Sequence, residues 1–64
     1  MEPTDDDITD AMITYGGGFV SALGALYRCA DSENQRILKL AFAHYWMEYR
    51  ALWELKQGGH AARP

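Results

Sequence analysis

The chain has 64 residues, a hydrophobic content of 48% that includes two Trp, four Tyr and two Phe, and a net charge of −3. A chain this short forms one domain at most and buries only roughly 60% of its unfolded surface, so a staple or a partner is expected. The single cysteine, Cys29, excludes an internal disulfide framework. No apolar run approaches the ~20 residues that span a bilayer, and the acidic opening Met1 to Asp7 is unlike a secretory leader, so a soluble cytoplasmic protein is expected.

The charge is unevenly placed. Residues 1–10 carry Glu2, Asp5, Asp6, Asp7 and Asp10 and no base, a local −5 that leaves +2 for the rest. Residues 1–7 lack apolar periodicity and include a proline, which predicts an acidic disordered arm with Asp6 or Asp7 capping the helix that follows. Ile8 to Tyr15 reads as a short helix with Ile8, Met12 and Tyr15 on one face, interrupted by Gly16-Gly17-Gly18. From Phe19 the apolar period is helical: Phe19, Val20, Leu23, Leu26, Tyr27 and Ala30 share one arc, which predicts a helix over 17–30. Its flank of Gly17, Ser21, Gly24 and Ala25 suits the close approach of another backbone, or is simply a small outer face.

Ser32 with Gln35 three positions on fits a capping box and starts a helix that runs to Gln57, where Gly58-Gly59 supplies a left-handed stop; 58–64 is expected to fray. Its apolar residues, from Ile37 and Leu38 through Tyr45, Trp46, Tyr49 and Trp53 to Leu55, span about half the helix circumference. Helices 17–30 and 32–57 are expected to pack as an antiparallel hairpin, with the longer one overhanging from Tyr45 to Leu55. The 8–15 helix, a second copy or a target must cover that overhang, and a homodimer is favoured because apolar patches of this size mark interfaces.

No constellation supports catalysis. His44 and Glu48 lie four apart, half of a metal site with no second pair to complete it, and Cys29 has Arg28 beside it but no placed base. Neither a metal nor a cofactor is expected. The glycine run lacks the Gly-Lys-Ser/Thr of a phosphate-binding loop and reads as a turn. Arg36, Lys39 and Arg50, with Arg28 nearby, form a modest basic stripe, but a pI of 5.1 is far from that of a typical nucleic-acid binder. Conversely, the five carboxylates of the arm are able to imitate the phosphates that a basic channel expects.

Four segments resemble a group of short open reading frames in tailed phages and prophages: Ile8 to Met12, Tyr15-Gly16-Gly17-Gly18 to Gly24, Ala30-Asp31-Ser32-Glu33-Asn34, and Ala41-Phe42-Ala43-His44-Tyr45-Trp46-Met47-Glu48-Tyr49. Members of that group carry Pro-Glu where this chain has Ala43-His44, which implies a kink or break in the last helix near Phe42. The resemblance implies a phage protein that inhibits a bacterial defence complex, of the anti-CRISPR kind, by occupying its surface.

The resulting expectation is an all-α, non-enzymatic binder: a short N-terminal helix, then an antiparallel helical hairpin, in a domain over 8–57. Its partner is a host protein or ribonucleoprotein, contacted through Asp5, Asp6, Asp7 and Asp10 or through Tyr45, Trp46, Tyr49 and Trp53. A homo-oligomeric phage assembly protein and a small DNA-binding regulator are the alternatives.

Overall fold

The computed structural model describes the backbone of residues 2–61 and the side-chain environment of residues 2–56. The chain is all-α, with four helices: α1 (Asp5–Tyr15), α2 (Gly17–Cys29), α3 (Ser32–Ala41) and α4 (Ala43–Ala61).

The acidic segment is not a disordered arm. Thr4 caps α1 in a reciprocal box: the Asp7 amide donates to Thr4 Oγ1 at 3.1 Å, and the Thr4 amide donates to Asp7 Oδ2 at 3.0 Å. Two of the N-terminal donors that a helix leaves open are thereby satisfied, and the carboxylates of Asp5, Asp6 and Asp7 sit in the first turn, where the helix dipole favours them. Neither Asp6 nor Asp7 is the capping residue itself. Helix α1 is thus 11 residues long and forms the centre of the fold, with Met12 and Thr9 fully buried.

The glycine run is a tight corner. Gly16 closes α1 with its amide on the Met12 carbonyl at 2.8 Å, and Gly17 turns the chain with φ +71°, a value that glycine adopts without strain. Helix α2 folds back onto α1, the closest helix pairing in the molecule. Gly24 permits that approach, since a Cβ there would lie 3.1 Å from the Thr9 carbonyl and 3.0 Å from the Ile13 side chain. One member of the small-residue flank therefore serves contact within the chain.

The cap of α3 falls one residue earlier than expected. Asp31 is the N-cap, accepting from the Asn34 amide at 2.9 Å, while the Gln35 amide group donates at 3.0 Å to the Tyr27 carbonyl, which also accepts from the Ala30 amide at 3.2 Å at the end of α2. The stretch over 32–57 is two helices. Phe42 leaves the helical region at φ −118°, ψ 34°, and α4 restarts at Ala43, so the stretch is broken near Phe42. At its other end α4 continues through Gly58-Gly59 to Ala61, because glycine permits the left-handed stop without imposing it. Residues 62–64, the end of the expected frayed tail, lie outside the described residues.

The break redirects α4 onto α1, while α2 and α3 meet across Ala30-Asp31 as a lighter hairpin. The core is Ile8 and Met12 from α1, Val20, Leu23 and Tyr27 from α2, and Trp46 from α4, with Leu38, Phe42, Tyr45 and Tyr49 packed around them. Within the chain, α1 packs against part of the aromatic overhang, while Met47 and Leu55 stay 71% and 69% exposed.

Candidate interaction surface

The acidic residues proposed as partner contacts are mostly engaged inside the fold. Asp5 Oδ2 accepts from the Tyr27 hydroxyl at 3.0 Å and from the Lys39 ammonium at 2.9 Å, joining α1 to α2 and α3. Partial burial pushes the Asp5 carboxyl up, but the hydrogen bonds from Lys39 and Tyr27 and the Lys39 charge outweigh it and hold the group below its ordinary value. The Trp46 indole N–H makes no sound hydrogen bond, yet its dipole acts on Asp5 in the same direction. Burial raises the Tyr27 hydroxyl above its ordinary value, reinforced by the Asp5 carboxylate. Asp7 is used in the cap.

Asp6 and Asp10 remain exposed, on either side of Arg28, whose guanidinium lies 3.3 Å from one carboxylate and 3.7 Å from the other. Arg28 also donates to Thr9 Oγ1 at 3.0 Å and to the Asp6 carbonyl at 2.9 Å. Thr9 in turn donates to the Asp5 carbonyl at 2.9 Å, so a fully buried hydroxyl is satisfied as both donor and acceptor. Glu2 pairs with Arg50. Arg28, Lys39 and Arg50, three of the chain's six basic side chains, therefore face its acidic segment and reduce its charge as seen from outside.

The same pairing dismantles the basic stripe. Lys39 is bound to Asp5, Arg50 to Glu2 and to Glu54 at 3.2 Å, and Arg36 to Glu33 at 2.8 Å. Cations committed to carboxylates offer little to phosphates.

The aromatic candidates divide. Trp46 is 5% exposed, tilted against Tyr27 at a centroid distance of 4.9 Å, and is a core residue unavailable to a partner. Its Nε1 is the one buried side-chain polar atom without a hydrogen-bond partner among the described residues. Tyr45 and Tyr49 are half-buried against the core, and Trp53 lies half-buried beside Asp7, Asp10 and Tyr15. Helical periodicity identified these residues as apolar but not which helix would cover them.

Apolar side chains stay uncovered on all four helices, among them Tyr15 on α1 and Met47 and Leu55 on α4, which are 71% and 69% exposed. On α2, Phe19 is 60% and Leu26 54% exposed; on α3, Ile37 is 48% and Leu40 69% exposed. Helix α3 has a clear apolar side yet buries no residue. A shallow apolar groove runs between the two helices, lined by Leu26, Cys29, Ala30, Asn34, Ile37 and Leu38. Phe19, in the first turn of α2, is braced edge-on by Phe42 at 6.0 Å and by a tilted Tyr45 ring at 5.8 Å. Cys29 is exposed on this groove and not semi-buried.

His44 stacks on Tyr45 at 4.0 Å, and no group of three or more His, Cys, Asp or Glu is placed to hold a metal among the described residues. No described helix is long and apolar enough to cross a membrane. Comparison with family models, with curated proteins and with solved structures finds no match to this chain.

Proposed function

We propose that this protein is a non-catalytic, phage-encoded inhibitor of the anti-CRISPR kind, which binds a bacterial defence complex in the host cytoplasm and sterically blocks its nucleic-acid-binding surface. The observation that carries the binding role is α3: a helix of 10 residues with an apolar side and no buried residue. Helices so short are unstable alone in water, and a helix that presents Ile37 and Leu40 to solvent gains by meeting another surface. The phage and defence-complex part of the reading rests on the sequence resemblance.

Contact through α3 is preferred over contact through charge. Asp5 and Asp7 are engaged within the fold, leaving Asp6 and Asp10 as the acidic side chains free to meet a basic surface. The DNA-binding alternative is weaker because, among the described residues, Arg28, Arg36, Lys39 and Arg50 all face carboxylates, which leaves Lys56, over the Tyr15 ring, as the one cation without one. A pulldown with the tagged chain from a bacterial host running an active CRISPR system is expected to retain an effector component; retention of none would overturn the inhibitor reading.

A further inference from the structure

The solvent side of α2 is formed by Phe19, Ala22, Ala25, Leu26 and Cys29, all exposed and none charged. Arg28, the helix's one charged residue, points the other way and is held by Thr9 and Asp6. A helix that shows water a charge-free face departs from the usual surface pattern and matches the centre of an interface, where charge is depleted. Phe19, Ala22, Leu26 and Cys29 follow one another at spacings of three, four and three, the seam of a two-helix coiled coil.

We infer that α2 packs against α2 of a second copy, antiparallel, about a two-fold axis level with position 24. The residue numbers and sizes carry this assignment. Under that axis Phe19 faces Cys29 of the second copy and Leu26 faces Ala22, so each large side chain meets a small one and the same contacts are made twice. A parallel pairing would oppose Phe19 to Phe19 and Ala22 to Ala22, crowding one layer and leaving a void in the next. An unrelated partner would require no such internal match. Ala25 lies between the two layers and lets the helices approach closely, while Phe42 and Tyr45 hold the Phe19 ring in place beforehand. A seam the length of this 13-residue helix, roughly 20 Å, is small for an interface, so a weak, reversible pairing with a dissociation constant on the order of micromolar is expected.

Leu26 and Cys29 also line the groove that Ile37 and Leu38 border on α3, so the pairing is tested on the isolated chain, without the host target. Sedimentation equilibrium of the full chain under reducing conditions, from roughly 1 to 200 μM around that constant, is expected to show a monomer–dimer equilibrium. Leu26→Glu, at an exposed position, is expected to keep the circular dichroism of the wild type and sediment as a monomer throughout. The register has its own readout. Phe19→Cys places a thiol opposite Cys29 of the second copy, and since positions 19 and 29 of one helix are about 15 Å apart, only a bond between copies can join them. Mild oxidation with diamide is expected to give a covalent dimer from Phe19→Cys and none from the Phe19→Cys, Cys29→Ser double variant. A wild type that is monomeric at every concentration, a Leu26→Glu variant that still dimerises, or equal cross-linking of the single and double variants would each overturn the proposal.

Discussion

Asp5 begins α1, yet its carboxylate binds Tyr27 on α2 and Lys39 on α3 and acts on Trp46 in α4, so one side chain near the N-terminus registers the fold. Its folded pKa lies below the ordinary carboxylate value of 3.8, so its contribution to stability is present above that pH and is lost as the pH falls through the folded value. Tyr27 has the opposite sign: raised above 10.0, it favours the folded chain below that pH and ceases to do so as the pH rises through its folded value. Asp5→Asn is expected to lower the melting temperature at neutral pH and to flatten the decline below pH 4, measured by thermal melts at a series of pH values. The corner glycines give a second contrast. Gly17→Ala, at φ +71°, is expected to cost about 1–2 kcal/mol, whereas Gly18→Ala, where a Cβ meets nothing within 4 Å, is expected to gain roughly 0.5 kcal/mol. Urea unfolding of the two variants separates a backbone requirement from mere smallness.

Helix α4 shows what a sequence reading captures at the level of elements and what it leaves open. The period of Trp46, Tyr49 and Trp53 made a helix with a wide apolar side legible, but periodicity states that a face is buried and not by which neighbour. The neighbour is α1, whose length was underestimated because Asp5, Asp6 and Asp7 read as a solvated charge run. Thr4 and Asp7, three apart, were the available signal: a capping box whose acidic partner is Asp in place of the usual Glu or Gln. The start at Ser32 was legible, but the cap is Asp31, since Asp31 and Ser32 are adjacent residues that both suit a cap. The break at Phe42 has no local sequence marker, because neither proline nor glycine lies at or beside it. Trp46→Ala is expected to remove about 3–5 kcal/mol, comparable to the whole stability of so small a domain, and thus to abolish the helical circular dichroism. Trp53→Ala, at a half-buried position, is expected to cost about 1–2 kcal/mol and leave the chain folded.

For the whole molecule, the carboxylates and aromatics that stand out in the sequence are largely the means by which it folds. Asp5, Asp7 and Trp46 hold α1 within the helical assembly; Tyr15, Met47 and Leu55 are exposed on α1 and α4, and the uncovered apolar side chains of α2 and α3 are Phe19, Leu26, Ile37 and Leu40. Their helical spacing was legible, but their exposure depends on how α2 and α3 are oriented, which the sequence pattern leaves undetermined. The central claim is that binding runs through this apolar surface and not through the acidic segment. Its most direct test is a plasmid-interference assay in a host with an active CRISPR system expressing the wild type, Asp6→Asn/Asp10→Asn or Ile37→Asp/Leu40→Asp, each checked for folding by circular dichroism. The account predicts that the wild type and the Asp6→Asn/Asp10→Asn variant protect the plasmid and that Ile37→Asp/Leu40→Asp loses at least tenfold, a loss on the order of 1.4 kcal/mol of binding. Protection abolished by Asp6→Asn/Asp10→Asn but retained by Ile37→Asp/Leu40→Asp, or no protection by the wild type, would contradict it.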